Sequence, residues 1–252
     1  MHRLRTRWRT VLTNAVATAS NRTSTTVEAK PHRWALNPWA RGFRRLARPW
    51  LVDRHAQRFC RPLTVEGAAH ITEVNSPALV IANHTSHFDT MIVLSVLPEH
   101  LYSRVAVTAA ADRFYTRQLS AAWHSLRYNA YPITRGGGRA ALAYSEWLLQ
   151  EGWSLLIFPE GRRSRTGELL PFHPGPAVLA LRHDTPVVPM YIEGAADILP
   201  AGSRWARPAA VQVRIGSPLV FPSTTTVAEA TAMMEEAVGS LAGIDRARIV
   251  AA

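Results

Sequence analysis

Short apolar runs separated by polar stretches fill the chain from about residue 63 onward. The first run, residues 78–82, is entirely apolar and ends at Asn83. Five further runs of four to seven residues follow, at 104–109, 131–134, 154–158, 186–192 and 210–215. Runs this short and this apolar are typical of strands that are buried on both faces of a sheet.

Helical spacing of apolar residues occupies the stretches between several of these runs. It is clearest at residues 139–150, 176–183 and 227–241. A loop and then another helix are predicted directly after the first run. Strands that alternate with helices predict an α/β fold, with a mostly parallel central sheet flanked by helices.

The segment at positions 1–62 lacks this alternation. Prolines at positions 31, 38, 49 and 62 allow only short helices between them. We therefore predict a basic helical arm over residues 1–62 and a folded domain over residues 63–252. No stretch of 18 or more apolar residues is free of charge, so the sequence predicts no transmembrane helix.

The positive charge of the chain is confined to that arm. The formal net charge is +11, to which the arm contributes +12 and the segment from position 63 to the end contributes −1. Four of the eight tryptophans also lie in the arm. Arginine beside tryptophan suits an anionic membrane surface, where guanidinium pairs with lipid phosphate and indole lies among the headgroups. Nucleic-acid binding, packing of the arm on its own domain and a transit peptide at positions 1–27 are the alternatives.

A histidine and an aspartate follow the first run, at the predicted turn from strand to helix. His84 and Asp89 are five residues apart, which lets the carboxylate hold one ring nitrogen while the other accepts a proton. The chain has no G-x-S-x-G nucleophile motif, and its one cysteine, Cys60, lies among arginine and proline residues. We therefore expect the activated hydroxyl to belong to the substrate. Metal ligation by His84, His87 and Asp89, or a helix cap beside a core histidine, are the alternatives.

Two further strand ends carry arginine. Residues 158–165, FPEGRRSR, combine Glu160 with three arginines, whose planar guanidinium groups match phosphate. Residues 131–138, YPITRGGG, place Arg135 before a glycine turn that lets a ligand approach backbone amides. Taken alone, the three arginines of the first segment are better explained by a solvated basic loop, and the single arginine of the second predicts little. Together they predict an anion site at the edge of the sheet where the strands end.

In this order the segments resemble the four motifs of the glycerolipid acyltransferase family, which contains 1-acylglycerol-3-phosphate acyltransferase. The His-x4-Asp block resembles the first motif, AYPITRGG the second, FPEGRRSR the third and TPVVPMY, at 185–191, the fourth. The resemblance covers about residues 63–222 and assigns the acyltransferase domain to residues 63–252. It implies that His84 is the general base and that Asp89 orients it. It further implies contacts to the acceptor's phosphate and glycerol by Arg135, Glu160, Gly161 and Arg163, and an acyl-chain side marked by Pro189.

The resemblance also implies a reaction. A fatty acyl group would pass from acyl-CoA or acyl carrier protein to the hydroxyl of a lysoglycerolipid, with 1-acyl-glycerol-3-phosphate as the favoured acceptor and phosphatidic acid as the product. Another lysophospholipid or a glycolipid is the alternative acceptor, and a non-catalytic lipid- or nucleic-acid-binding protein is the alternative class. Arg113 lies where bacterial members often carry a lysine, and Arg162 stands where threonine is usual, so the resemblance specifies the reaction more closely than the acceptor.

The same resemblance favours the membrane interpretation of the arm. We expect peripheral attachment to the cytoplasmic face of the cell membrane, with an anionic lipid surface as a partner. We expect no cofactor besides the acyl donor, no metal and no nucleic acid.

Overall fold

The alternation of strands and helices that the sequence predicts is confirmed. A computed structural model describes residues 30–75, 77–115, 117–134, 138–200, 203 and 205–243. Its strands are β1 (Cys60–Glu66), β2 (Leu79–Ala82), β3 (Val105–Ala110), β4 (Ala130–Ile133), β5 (Ser154–Ile157), β6 (Val187–Glu193) and β7 (Ala209–Ile215). Its α-helices are α1 (Pro38–Arg48), α2 (Arg54–Phe59), α3 (Ala68–Thr72), α4 (Asp89–Val96), α5 (Glu99–Tyr102), α6 (Ala111–Phe114), α7 (Gln118–Tyr128), α8 (Gly138–Gln150), α9 (Gly175–His183), α10 (Ala195–Ile198) and α11 (Val227–Leu241).

The seven strands form one sheet in the order β1-β7-β6-β2-β5-β3-β4. Every neighbouring pair is parallel except β6 and β7. At the centre, Ile81 of β2 aligns with Ile157 of β5 and with Pro189 of β6. Because β2, β5, β6, β3 and β4 run in the same direction, the loops that follow them meet at one edge of the sheet.

Side chains of β2 alternate between two apolar cores, one on each face of the sheet. Val80 and Ala82 belong to the first core, and Leu79 and Ile81 to the second. The first core is covered mainly by α2, α4 and α5, and the second by α8, α9 and α11. A strand between two cores has no polar face, which is why its sequence is a continuous apolar run.

The segment before residue 63 packs on the domain rather than lying apart from it. A 3-10 turn at Arg33–Leu36 precedes α1, and a π-helical turn at Pro49–Asp53 joins α1 to α2. Val52 and Ala56 are buried in the first core, and β1 pairs with β7. The predicted boundary between residues 62 and 63 therefore falls inside a strand of the sheet. Residues 1–29 lie outside the described part, and the membrane role of the arm stays a prediction.

Among the residues that the structure describes, no helix combines the length and the apolar character needed to cross a bilayer.

Candidate functional site

His84, in the loop after β2, and Asp89, the first residue of α4, form a hydrogen-bonded pair. The distance from His84 Nδ1 to Asp89 Oδ2 is 2.8 Å. The same oxygen accepts the backbone N–H groups of Thr85 and Ser86, at 2.7 and 2.8 Å. The two backbone N–H groups make this oxygen an acceptor, so Nδ1 is the ring nitrogen that donates to it, and Nε2 is the nitrogen that can take a proton.

The pair differs sharply in its access to solvent. Asp89 has no exposed side-chain area, whereas 21% of the His84 side chain is exposed. The Phe158 ring stacks on the imidazole, with centroids 4.3 Å apart. The carboxylate is therefore held in a fixed position away from solvent, and a substrate can reach the imidazole from one side.

Asn83 fixes the start of this loop. Its side-chain amide accepts the N–H of Ile192 at 2.7 Å and donates to the carbonyl of the same residue at 3.0 Å. Both bonds are buried, and they join the end of β2 to the end of β6. The backbone is thereby anchored one residue before the proposed base.

Glu160 connects the loop after β2 with the loop after β5. One of its carboxylate oxygens accepts the N–H of His84 at 2.8 Å, and the other accepts the N–H of Leu170 at 3.2 Å. Ser164 adds a third link by donating its N–H to the His84 carbonyl at 2.7 Å. Glu160 is only 2% exposed, and this burial raises the pKa of its carboxyl to about 7, although its two N–H donors act in the opposite direction.

The glycine after Glu160 occupies a position that no other residue fits well. Gly161 has φ +64°, and a Cβ there would lie 2.8 Å from the ring carbon Cδ2 of His173. The turn leads into the arginine cluster, in which Arg163 is half-buried while Arg162 and Arg165 are exposed. A sharp backbone turn thus brings guanidinium groups to the edge of the sheet that carries His84.

Comparison with known proteins identifies the family. A family model described as "Acyltransferase" matches residues 62–193, just over half of the chain. The chain belongs to the acyltransferase family. The match includes His84, Asp89, the Glu160 turn and Pro189, so the resemblance inferred from the four motifs is confirmed.

Three curated relatives of this chain carry one common name. The "1-acyl-sn-glycerol-3-phosphate acyltransferase" of Cocos nucifera is 32% identical over 162 residues, which cover 63% of this chain and 50% of the relative. That of Limnanthes douglasii is 30% identical, covering 63% and 54%, and the alpha form of Mus musculus is 28% identical, covering 62% and 54%. The chain spans about half the length of the curated relatives it matches.

A solved structure shares the fold. The crystal structure of the 1-acyl-sn-glycerophosphate acyltransferase PlsC from Thermotoga maritima superposes with a TM-score of 0.61 at 23% identity. The superposition covers 84% of this chain and 80% of that one. It supports the α/β architecture with its mostly parallel sheet.

The structure brings some of the predicted site residues together and separates others. His84, Asp89, Glu160, Gly161 and Arg163 lie on two loops at the same edge of the sheet. Pro189 instead lies within β6, buried beside Ile81. Arg135 lies outside the described residues, and so does the side chain of Arg113.

Sequence reasoning gave no role to Asn83, Phe158 or Ser164, which hold His84 and its loop in place. Asn83 and Phe158 directly adjoin predicted strand ends, which was the only available signal, while the Ser164 contact is made by backbone. Among the described residues, no group of three or more His, Cys, Asp or Glu side chains is placed to hold a metal ion. Two of the three alternative ligands considered, His84 and Asp89, are hydrogen-bonded to each other.

A separate surface cavity lies at the other edge of the sheet. It has a volume of about 380 Å³ and is lined by Val74, Asn75, Pro77 and residues 183–186. These residues precede β2 and β6, whereas His84 and Glu160 follow β2 and β5. The cavity is therefore not part of the site that contains His84.

Proposed function

We propose that the chain transfers a fatty acyl group from acyl-CoA or acyl carrier protein to the hydroxyl of 1-acyl-glycerol-3-phosphate, forming phosphatidic acid. The observation that carries this proposal is the His84 imidazole, which is partly exposed and is held at Nδ1 by a buried carboxylate. The name shared by the curated relatives supports the choice of acceptor.

The reaction needs one base and no covalent enzyme intermediate. His84 Nε2 takes the proton of the acceptor hydroxyl while that oxygen attacks the thioester carbonyl. The carbon–sulfur bond then breaks, and the imidazolium returns its proton to the departing thiolate. Asp89 stabilises the imidazolium between these two transfers, so the side chain ends each cycle in its starting state.

The arginines of the two Arg-bearing loops supply the proposed acceptor site. Arg163 and Arg135 would bind the phosphomonoester, since a guanidinium fork fits two phosphate oxygens, and Gly161 would let the headgroup approach the backbone. The contacts of Glu160 favour a positioning role for it, because both of its oxygens already accept backbone N–H groups. Pro189 remains assigned to the acyl-chain side by family resemblance alone.

The proposed substrate also sets the location. Because the acceptor is a membrane lipid, we propose peripheral attachment to an anionic membrane, at the cytoplasmic face where acyl-CoA and acyl carrier protein are found. A second acceptor class, another lysophospholipid or a glycolipid, fits the same base.

Replacement of His84 tests the reaction. In His84→Ala, turnover of 1-acyl-glycerol-3-phosphate and acyl-CoA should fall roughly 10²–10⁴-fold, because the proton acceptor is lost. The matched control is His183→Ala, which removes a half-buried histidine at the opposite edge of the sheet. Product formation is followed by mass, and thermal unfolding shows whether each variant folds. Turnover by folded His84→Ala at the rate of the control would disprove the mechanism.

Replacement of Arg163 tests the acceptor. If the acceptor carries a phosphomonoester, Arg163→Ala should raise the KM of the acceptor far more than that of the thioester. Arg182→Ala, a partly exposed arginine on α9, is the control for lost charge. Equal effects on both KM values would favour an acceptor without a phosphomonoester.

A further inference from the structure

Six large apolar side chains are exposed on two neighbouring stretches of helix. Along α1 and the π-helical turn they are spaced four, three and four residues apart, so they form one stripe. Their exposed fractions are 58% for Trp39, 40% for Phe43, 76% for Leu46 and 61% for Trp50, with 89% for Leu119 and 47% for Trp123 on α7. We call these six side chains the apolar face.

The two halves of the apolar face adjoin each other. Arg127 lies one turn after Trp123, on the same side of α7, and its guanidinium donates to the carbonyl of Leu51 at 2.6 Å. Leu51 directly follows Trp50, the last member of the stripe. The α7 half of the apolar face therefore lies next to the last residue of the α1 half.

The opposite side of α1 is locked to the domain. Arg44 is 6% exposed, and its guanidinium donates to the carbonyl of Ala35 at 2.7 Å and to that of Leu126 at 3.5 Å. Arg48 donates in the same way to the carbonyls of Ser95 and Leu97. Because these contacts fix the rotation of α1, its apolar stripe cannot turn inward.

Elements next to the apolar face contact the loop that carries the base. Phe59, at the end of α2, packs edge-on against Phe88, with ring centroids 5.3 Å apart. From α7, His124 packs on Phe114 at 5.0 Å, and Phe114 packs on His87 at 6.3 Å. Phe88 and His87 both lie between His84 and Asp89 in the chain. The apolar face is thus linked, through Phe59 and Phe114, to the loop that contains His84.

We propose that the apolar face docks this protein in a fixed orientation on an anionic lipid bilayer, with α7 as well as the arm in contact with lipid. Residues 38–59 hold six arginines and one acid, and residues 117–128 hold two arginines and no acid. Aromatic and aliphatic side chains flanked by arginine match the interface between lipid headgroups and acyl chains.

The same charges disfavour the other possible occupants. A second copy would bring two arginine-flanked surfaces together, and residues 1–27 contain five arginines and no acid. The proposal rests on the proposed function, because it takes a membrane lipid as the substrate. A lipid-facing surface near the base would let such a substrate reach the site without leaving the bilayer.

Paired substitutions in the full chain test the contribution of α7. In Leu119→Ser/Trp123→Ser, binding to vesicles of phosphatidylglycerol and phosphatidylcholine should weaken at least about tenfold, because two apolar anchors are lost. The control is Val220→Ser/Met233→Ser, which removes two apolar side chains that are 68% and 41% exposed elsewhere on the surface. Turnover of a short-chain, monomerically soluble lysolipid should stay unchanged in both variants. Wild-type vesicle binding by the α7 variant would overturn the proposal.

A fluorescent label reports the orientation. An environment-sensitive dye is attached to Leu119→Cys or to Val220→Cys, and the buried native Cys60 limits competing reaction. Vesicles should shift the emission to the blue at position 119 and leave it unchanged at position 220. Equal shifts at both positions would contradict docking through this face. A label at position 119 that is already shielded from water without vesicles would also contradict it, and would indicate that a second copy or the segment at positions 1–29 covers the face. Absence of turnover by the wild type with intact vesicle binding would refute the proposed function alone.

Discussion

Replacing Asp89 with asparagine removes one charge from the site while keeping its shape. Asp89 Oδ2 accepts three hydrogen bonds, from His84 Nδ1 and from two backbone N–H groups. No other described residue donates to Oδ1. In Asp89→Asn the three donors should select the amide oxygen for the Oδ2 position, so the ring of His84 keeps its orientation and its proton on Nδ1. The change that remains is the loss of negative charge beside a developing imidazolium.

The size of that loss follows from the distance. With Nδ1 and Oδ2 2.8 Å apart, the centres of the two charges are about 4 Å apart, which corresponds to about 4 kcal/mol at an effective dielectric constant of 20. The imidazolium is only partly formed in the transition state, so we expect a loss of about 2–4 kcal/mol. This corresponds to a fall in kcat of about 30- to 1000-fold.

The assay is steady-state transfer from acyl-CoA to 1-acyl-glycerol-3-phosphate. The KM values of both substrates should change little, because Asp89 is fully buried and reaches neither substrate. Asp184→Asn is the matched control, since Asp184 is exposed at the opposite edge of the sheet and its left-handed backbone suits asparagine. A folded Asp89→Asn enzyme with kcat within about threefold of the control would refute the argument that this charge supports the base.

Three further substitutions test stability. Because the pKa of Glu160 is raised from 4.5 to about 7, the folded protein keeps a proton that the unfolded chain loses as pH rises through this window. The free energy of unfolding of the wild type, relative to that of Glu160→Gln, should therefore fall by about 3 kcal/mol between pH 4.5 and 7 in denaturant titrations. The same pH dependence of unfolding free energy in both proteins would contradict this. Gly161→Ala should lower the free energy of unfolding by about 1–3 kcal/mol more than Gly167→Ala does. Both glycines have a positive φ, but only a Cβ at position 161 would contact another side chain. Equal losses of stability in the two variants would exclude that contact as the cause. Arg44→Ala should lower the free energy of unfolding by about 1–3 kcal/mol, because a buried carbonyl loses its donor, and an unchanged denaturation midpoint would argue against the locked arrangement of α1.

Much of the fold could be predicted because its central strands are buried on both faces. The runs at 78–82 and 154–158 became β2 and β5, with ends shifted by one residue. β1 was missed because its sequence, CRPLTVE, has arginine and proline in place of an apolar run. It lies at the edge of the sheet and is mostly exposed, so burial places little demand on its side chains.

The arm shows where composition was misleading. Its +12 charge suggested a separate segment, yet residues 33–59 form helices whose buried side is specified by a few residues such as Val52, Ala56 and Arg44. The apolar stripe on the other side is spread over residues that are not adjacent in sequence. Charge alone did not separate a tail from a packed surface, because a count of charges does not show that an arginine such as Arg44 is buried.

The sequence by itself determined the alternation of the central strands with helices and the pairing of His84 with Asp89. Both depend on local spacing: burial fixes the period of a strand, and five residues at a strand-to-helix turn bring a carboxylate to an imidazole. The tertiary structure decided that Glu160 joins two loops, that β1 completes the sheet beside β7, and that α1 and α7 present one apolar face. Those contacts join residues that lie tens to more than a hundred positions apart, and only the packing of the whole chain brings such partners together.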